Sequence, residues 1–325
     1  MRRPMLAAAL AATLLLAACG DGAEPADTPS PTPTATATAG ADAPTGEAPP
    51  SLADVAALDA VAVEGAPGEA PSLTFTLPIE VSATVARVDT PGAGAAIEEG
   101  QLLRVHYMLL DGATGESVGS TWDLGTPQAF LLGDPSMPDA MNSVLAEQNV
   151  GVRFLLGVPG TPATDAAEAT PWTLFVFEVV AALPGRATGT AVAPPAGLPQ
   201  VTLAEDGTPS ITVGDAAEPT ALVAQTLIEG TGPVVEPGQV LTVHYSGWLW
   251  DGTPFDSSWE GGAPFQTTIG AGRVIAGWDQ GLVGKPVGSQ VLLAVPADLG
   301  YGDSGQGSIP PGASLIFVID ILDAS

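Results

Sequence analysis

From Val240 onward, apolar and polar positions alternate with a period of two. Leu241, Val243 and Tyr245 point one way, and Thr242, His244 and Ser246 the other. That is the pattern of a strand with one face on a core. Asp251-Gly252 is a turn signal. Between 274 and 282 the period lengthens to that of a helix: Val274, Ile275, Trp278 and Leu282 share one face. Two further strands are expected at 292–295 and 315–322, joined by a loop rich in Gly and Pro that suits a surface flap. Periodicity alone gives a mostly β domain with many turns.

The same pattern occurs twice. Pro71-Ser72-Leu73-Thr74-Phe75 is echoed by Pro209-Ser210-Ile211-Thr212-Val213, and the run ending His106-Tyr107 by the run ending His244-Tyr245, both at an offset of 138 residues. Ser120-Thr121-Trp122 is echoed by Ser257-Ser258-Trp259, and Phe175 to Val179 by Phe317 to Ile321. The chain therefore divides into a leader (1–18), a tether (19–52), a first copy (53–184), a linker (185–195) and a second copy (196–325).

The leader carries Arg2 and Arg3 before an apolar run to Ala18, the form of an export signal. Leu16-Ala17-Ala18-Cys19 resembles a bacterial lipobox, which implies that Cys19 is lipidated and anchors the chain to the outer face of the cell membrane. The tether is Pro/Thr/Ala-rich and free of aromatics, so it is expected to be disordered. Cys19 is the sole cysteine, which excludes a disulfide within the chain. Net charge is −28, and removal of the leader leaves six basic residues against 36 acidic ones. That balance argues against nucleic acid and anionic membrane surfaces as partners.

Candidate chemistry concentrates in the second copy. Its strings VHYSGWLWDGTPFDSS (243–258), VIAGWDQGL (274–282), LGYGDSG (299–305) and IPPGASLIF (309–317) resemble those of the FKBP-type peptidyl-prolyl cis-trans isomerases, in the family's order and spacing over roughly 227–322. The resemblance implies an α+β fold in both copies, each an antiparallel sheet of five or six strands wrapped around a short helix. It also implies a proline pocket of Tyr245, Phe255, Asp256, Phe265, Val274, Ile275, Trp278, Tyr301, Ile309 and Phe317. Trp278 is the expected floor. Tyr245, Phe265, Val274, Ile275 and Phe317 are the walls, and Phe255 packs beside the ring. Tyr301 offers a hydroxyl from the flap, and the Ile309 N–H is the expected donor to a substrate carbonyl. Asp256 has two readings, orienting the twisted carbonyl or holding Tyr245. Leu299 and Ser308 depart from the family pattern, both on the flap, and bear on substrate preference. The implied partners are proline-containing polypeptides and ligands of the tacrolimus and rapamycin type.

The chemistry needs no nucleophile, metal or cofactor. Rotation about a peptide bond meets a barrier of about 18–20 kcal/mol from resonance. The twisted amide has a less polar carbonyl, so an apolar pocket favours it over the planar one. The loop 302–307 lacks the Gly-Lys-Ser/Thr ending of a phosphate cradle. His106 and His244, at matching places, read as structural histidines. The first copy keeps Tyr107 but has Val118 and Gly119 at the Phe255 and Asp256 positions, Pro138 at Ile275 and Met141 at Trp278. It reads as a degenerate, non-catalytic copy that spaces, docks or binds clients. The activity expected is isomerisation of Xaa-Pro bonds in exported proteins, for folding at the cell envelope. The alternative is a client-binding chaperone or surface scaffold without catalysis.

Overall fold

The computed structural model describes residues 49–77, 79–161 and 170–325. The leader, Cys19 and nearly all of the expected tether lie outside these residues, as does most of the first copy's loop at 159–171.

The first half begins with α1 (Leu52–Asp59), so the expected tether ends a little earlier than 52. Ser51 caps this helix: its hydroxyl accepts the Asp54 N–H, and the Asp54 carboxylate accepts the Ser51 N–H. The Asp54 carboxylate also accepts the Ser82 N–H at 2.6 Å, which holds it well below the usual carboxylate range and ties α1 to the chain entering the sheet. A hairpin follows, β1 (Ala62–Glu64) with β2 (Ser72–Thr74). Next come β3 (Val85–Thr90), β4 (Leu102–Asp111), β5 (Ser117–Ser120), α2 (Thr121–Leu124), β6 (Gln128–Leu131), α3 (Asp139–Leu145), β7 (Arg153–Val158) and β8 (Thr173–Leu183). The sheet is antiparallel and six-stranded, in the order β3-β7-β8-β4-β5, with β6 also on β4.

The second half repeats this strand for strand. A two-residue strand, β9 (Thr190–Ala191), precedes the hairpin β10 (Gln200–Leu203) with β11 (Pro209–Thr212). Then come β12 (Val223–Glu229), β13 (Val240–Leu249), β14 (Pro254–Ser257), β15 (Phe265–Thr268), α4 (Ala276–Leu282), β16 (Gln290–Val295) and β17 (Leu315–Ala324). The order β14-β13-β17-β16-β12 matches the first sheet, with β15 on β13 and β9 added outside β12. Both halves are thus α+β, each an antiparallel sheet around a short helix.

The predicted alternation on β13 is present. Leu241, Val243 and Tyr245 join the core under α4, while Thr242, His244 and Ser246 face the other side. That other side is not solvent. The hairpin β10–β11 lies over it, and Val201, Ile211 and Val213 pack on Trp248, Leu292 and Ile316. In the first half the corresponding hairpin and α1 cover Leu155, Leu174 and Val176. The echo of Pro71–Phe75 in Pro209–Val213 is therefore a repeated covering layer, which makes each half three layers deep.

β13 changes partner along its length. Val240–Val243 pairs with β15, and Ser246–Trp248 with β14. Ser258 fills the gap between them: its hydroxyl accepts the Tyr245 N–H at 2.9 Å, and its own N–H donates to the Tyr245 carbonyl at 3.0 Å. The Thr121 hydroxyl likewise accepts the Tyr107 N–H at 2.8 Å. This explains the repeated Ser/Thr-Trp pairs.

The expected linker 185–195 is built into the second half. Ala187 N–H donates to the Asp320 carboxylate at 2.8 Å, Thr188 N–H to the Gly288 carbonyl at 2.9 Å, and β9 pairs with β12. The halves also touch directly. Arg104 on β4 pairs with Asp323 on β17 at 2.9 Å, and the Gln266 amide donates to the Ala129 carbonyl at 3.1 Å.

Candidate functional site

The second half's site is organised by α4. Its start lies two residues later than the periodicity suggested: Val274 precedes the helix and Ile275 is its N-cap. Gly277 and Gly281, one turn apart, face β16. A Cβ on Gly277 would stand 2.6 Å from Val295 Cγ1, and one on Gly281 2.6 Å from Leu293 Cδ2. The two glycines let the helix lie close on the sheet and lower Trp278 into it.

Trp278, only 4% exposed, meets three rings edge-on: Tyr245 at 5.2 Å and 80°, Phe265 at 6.1 Å and 82°, and Phe317 at 5.4 Å and 89°. Phe255 stands edge-on to Phe317 at 5.6 Å. These are the favoured arrangements for aromatic pairs. Gly247 makes the last one possible, because a Cβ there would lie 2.6 Å from Phe255 Cζ. Val274, Ile275 and Leu299 pack on the same cluster, and Ile309 is buried against it. Phe265 and Tyr301, by contrast, are about a third exposed and stand at the rim. The ten residues singled out in the sequence thus come from six separate segments that converge on the Trp278 ring.

The polar groups of the basket are few. The Tyr245 hydroxyl donates to the Asp256 carboxylate, which favours the holding role for Asp256. Burial raises the Tyr245 pKa far above its usual value, and the Asp256 carboxylate adds to this. Burial, then the Asp256 charge, raises Tyr301 as well. Both phenols stay protonated across the physiological range. The Trp278 Nε1 is buried with no hydrogen-bond partner among the described residues.

The flap is drawn in by its own hydrogen bonds. Gln306 and Ile309 exchange N–H and carbonyl at 2.9 Å each, and Gly312 N–H donates to the Gly302 carbonyl at 2.9 Å. Gly305 is required twice over, by its φ of 64° and because a Cβ would lie 2.4 Å from the Ile309 carbonyl oxygen. This corrects one sequence expectation. The Ile309 N–H is already spent on Gln306, so it is not a free donor. The Ile275 N–H has no acceptor among the described residues. It is one of the donors at the start of α4 that no helical carbonyl reaches, and sequence reasoning had assigned the donor role to Ile309 instead.

The histidines are structural, as read. His244 bonds Ser258 at 2.9 Å and stacks on Trp259 at 4.3 Å. His106 bonds Thr121 at 3.1 Å and stacks on Trp122 at 5.2 Å. Burial pushes the His244 pKa down to about 4, opposed by the Asp134 carboxylate of the first half.

In the first half, Pro138 caps α3 and Met141 takes the place of Trp278. Gln128 stands at the register position of Phe265, opposite Val105 as Phe265 is opposite Val243. Gly119 opposes Leu109 as Asp256 opposes Gly247. The interior is filled instead by Phe154 stacked on Phe177 at 4.9 Å, with Phe175 stacked on Phe177 at 5.5 Å. A cleft of about 460 Å³ does lie in this half, but between Pro50, Val55 and α3, away from the equivalent of the basket.

Residues 232–322 match the sequence profile of a family described as FKBP-type peptidyl-prolyl cis-trans isomerase. An FK506-binding protein of Streptomyces anulatus is 48% identical over 107 residues, covering 32% of this chain and 86% of that protein. The peptidyl-prolyl cis-trans isomerase FKBP15-2 of Arabidopsis thaliana is 52% identical over 86 residues, covering 26% of this chain and 53% of its own. The crystal structure of FkpA from Escherichia coli is similar with 31% identity and a TM-score of 0.31, over 41% of this chain and 54% of that one.

Proposed function

Because the chain belongs to the FKBP-type peptidyl-prolyl cis-trans isomerases, we propose that the basket around Trp278 is where it turns Xaa-Pro bonds, and that its substrates are exported polypeptides. The observation that carries this is the ring cluster: a buried indole with Tyr245, Phe265 and Phe317 edge-on to it, open at a rim of Phe265 and Tyr301. A proline ring laid on the Trp278 face leaves its amide among apolar walls. The twisted amide has lost its resonance and presents a less polar carbonyl, so such walls favour it over the planar one. The Ile275 N–H is the available backbone donor for a substrate carbonyl. The Tyr301 hydroxyl, kept protonated, is a second donor from the flap. Asp256 acts by holding Tyr245 against Trp278.

The first half, without Trp278, Phe255, Asp256 or Phe265 equivalents, is a non-catalytic copy in this reading. Its filled interior and its contacts to Asp323 and Gln266 favour a docking role. The leader and the lipobox-like tetrapeptide ending at Cys19 favour a lipid anchor and placement outside the cell membrane. Ligands of the tacrolimus type would compete for the basket.

The test is protease-coupled isomerisation of a Leu-Pro tetrapeptide by the purified chain, with and without tacrolimus. Acceleration abolished by tacrolimus and by Trp278→Ala is expected. No acceleration by a folded chain would leave client binding without turnover as the reading. Radiolabelled palmitate in wild type but not in Cys19→Ala is expected for the anchor, and label in neither protein, or equal label in both, would refute it.

A further inference from the structure

A second cavity, of about 380 Å³, adjoins the basket and shares Phe255 and Asp256 with it. It lies on the opposite side of β14, between that strand and the tip of the hairpin β10–β11, which closes it with Thr208 and Pro209. The hairpin is held firmly. Its strands pair from Gln200–Thr212 to Leu203–Pro209, its apolar face packs on Trp248, and Arg186 donates to the Glu205 carbonyl at 2.9 Å near the tip. The cavity is thus a feature of the covering layer, not of the sheet and helix that make the basket.

Its lining is of two kinds. Pro209, Pro254 and Phe255 form an apolar wall, and the exposed carboxylates of Asp256 and Glu260 stand along it. Among the described residues, no lysine or arginine lines it. The hydroxyls of Ser246 and Ser257 bond each other at 2.8 Å and so make no strong demand on a ligand. One oxygen of Asp256 accepts from Tyr245, and the other has no donor among the described residues. An apolar wall ending in carboxylates matches a long basic side chain, whose methylene stem packs while its charged end stays at the water boundary. The volume exceeds what one lysine or arginine side chain needs. A polypeptide whose proline sits on Trp278 has its neighbouring residues at the basket's rim, where Phe255 and Asp256 border both spaces.

We propose that this cleft is a subsite for a lysine or arginine side chain flanking the proline of the substrate. The proposal rests on the basket being the isomerisation site. It gives the excess negative charge of the chain a local use, selecting proline segments that carry basic neighbours. Glu260 is the specificity-determining residue, since it touches the cleft and not the basket.

The experiment uses the purified chain and a set of proline tetrapeptides in which Lys, Gln or Glu occupies, in turn, each position next to proline, with a Leu-Pro peptide as reference. At one position Lys should raise kcat/KM by up to about fivefold over Gln, and Glu should lower it, as expected for an exposed ion pair. The advantage should shrink in 0.5 M salt, a setting of the assay that shortens the screening length to a few ångströms, roughly as the Debye relation gives. Glu260→Gln should abolish the Lys advantage and leave the Leu-Pro rate unchanged. Turnover of Leu-Pro with no Lys preference at any position, or a Lys preference intact in Glu260→Gln, would overturn the subsite while leaving the isomerase assignment standing. Failure to turn over any peptide would instead refute the basket as the site, and the subsite with it.

Discussion

Replacing Gly277 by alanine should raise α4 from the sheet and carry Trp278 with it. The new Cβ would stand 2.6 Å from Val295 Cγ1, 3.0 Å from Val295 Cγ2 and 3.4 Å from the Leu299 carbonyl oxygen. Carbon atoms rest at about 3.5–4.0 Å, so the helix must move by roughly 1 Å. Val295 cannot yield, because it is fully buried and its β-branched side chain is fixed at χ1. Helix propensity favours Ala over Gly by about 1 kcal/mol, while overpacking costs about 1–3 kcal/mol. The net expectation is a loss of up to about 2 kcal/mol, read as a lower urea midpoint at constant slope. The larger effect should be on activity, since a displacement of about 1 Å in a positioning group can cost on the order of 10²-fold. Val295→Ala removes both clashing carbons, so the double variant should regain much of the lost rate despite its smaller core. A Gly277→Ala protein more stable by about 1 kcal/mol and fully active would show that the helix does not need this close approach, and the account of how Trp278 is seated would fall.

Three further outcomes are expected. His244, with its pKa depressed from 6.5 to about 4, takes up its proton in the unfolded chain before the folded one. Its neutral burial is therefore fully tolerated above about pH 6.5, and stability falls as pH drops from there towards 4, by about 3 kcal/mol in all. Urea midpoints across that range, with an NMR titration of the imidazole, check this; a titration near 6.5 would contradict it. Arg153 and Glu178 are both 3% exposed and pair at 2.8 Å, and Arg153 also donates to the Gly65 and Ala66 carbonyls at 3.0 Å. Arg153→Ala should cost about 3–5 kcal/mol by leaving Glu178 buried and unpaired, and a loss under about 1 kcal/mol in denaturant titration would show the pair to be solvated. Asp256→Asn keeps an acceptor for the Tyr245 hydroxyl, so isomerase activity should stay within about twofold, whereas Asp256→Ala, which removes a hydrogen bond worth about 1 kcal/mol, should lose roughly fivefold or more. Equal losses in the two would return Asp256 to the charge role.

Much of the site was legible because each residue carried a local signal. The alternation of Leu241, Val243 and Tyr245 set a strand face. The spacing of Trp278 and Leu282 set a helix, and the four motif strings named the family. The common offset exposed the repeat, and Met141 does stand where Trp278 stands. The beginning of α4 was less legible. Val274 and Ile275 fit the helical period, but the period records which side faces the core and not where the first hydrogen bond closes. The Ile309 amide was misread for a related reason: whether an N–H is free depends on the partner across a turn, and Gln306 is that partner only once Gly307 and Ser308 reverse the chain.

What the sequence by itself determined is the class of each half, the repeat, and the ring that lies at the centre of the basket. These follow from periodicity and from residue types that act over a few positions. What only the tertiary structure decided is where distant segments meet. The hairpins cover the sheets, Ala187 is pinned by Asp320, Arg104 reaches Asp323, and the tip of the β10–β11 hairpin closes a cleft beside Phe255. A buried polar group must find a partner somewhere in the fold, but the pattern of its own strand does not say which segment brings it.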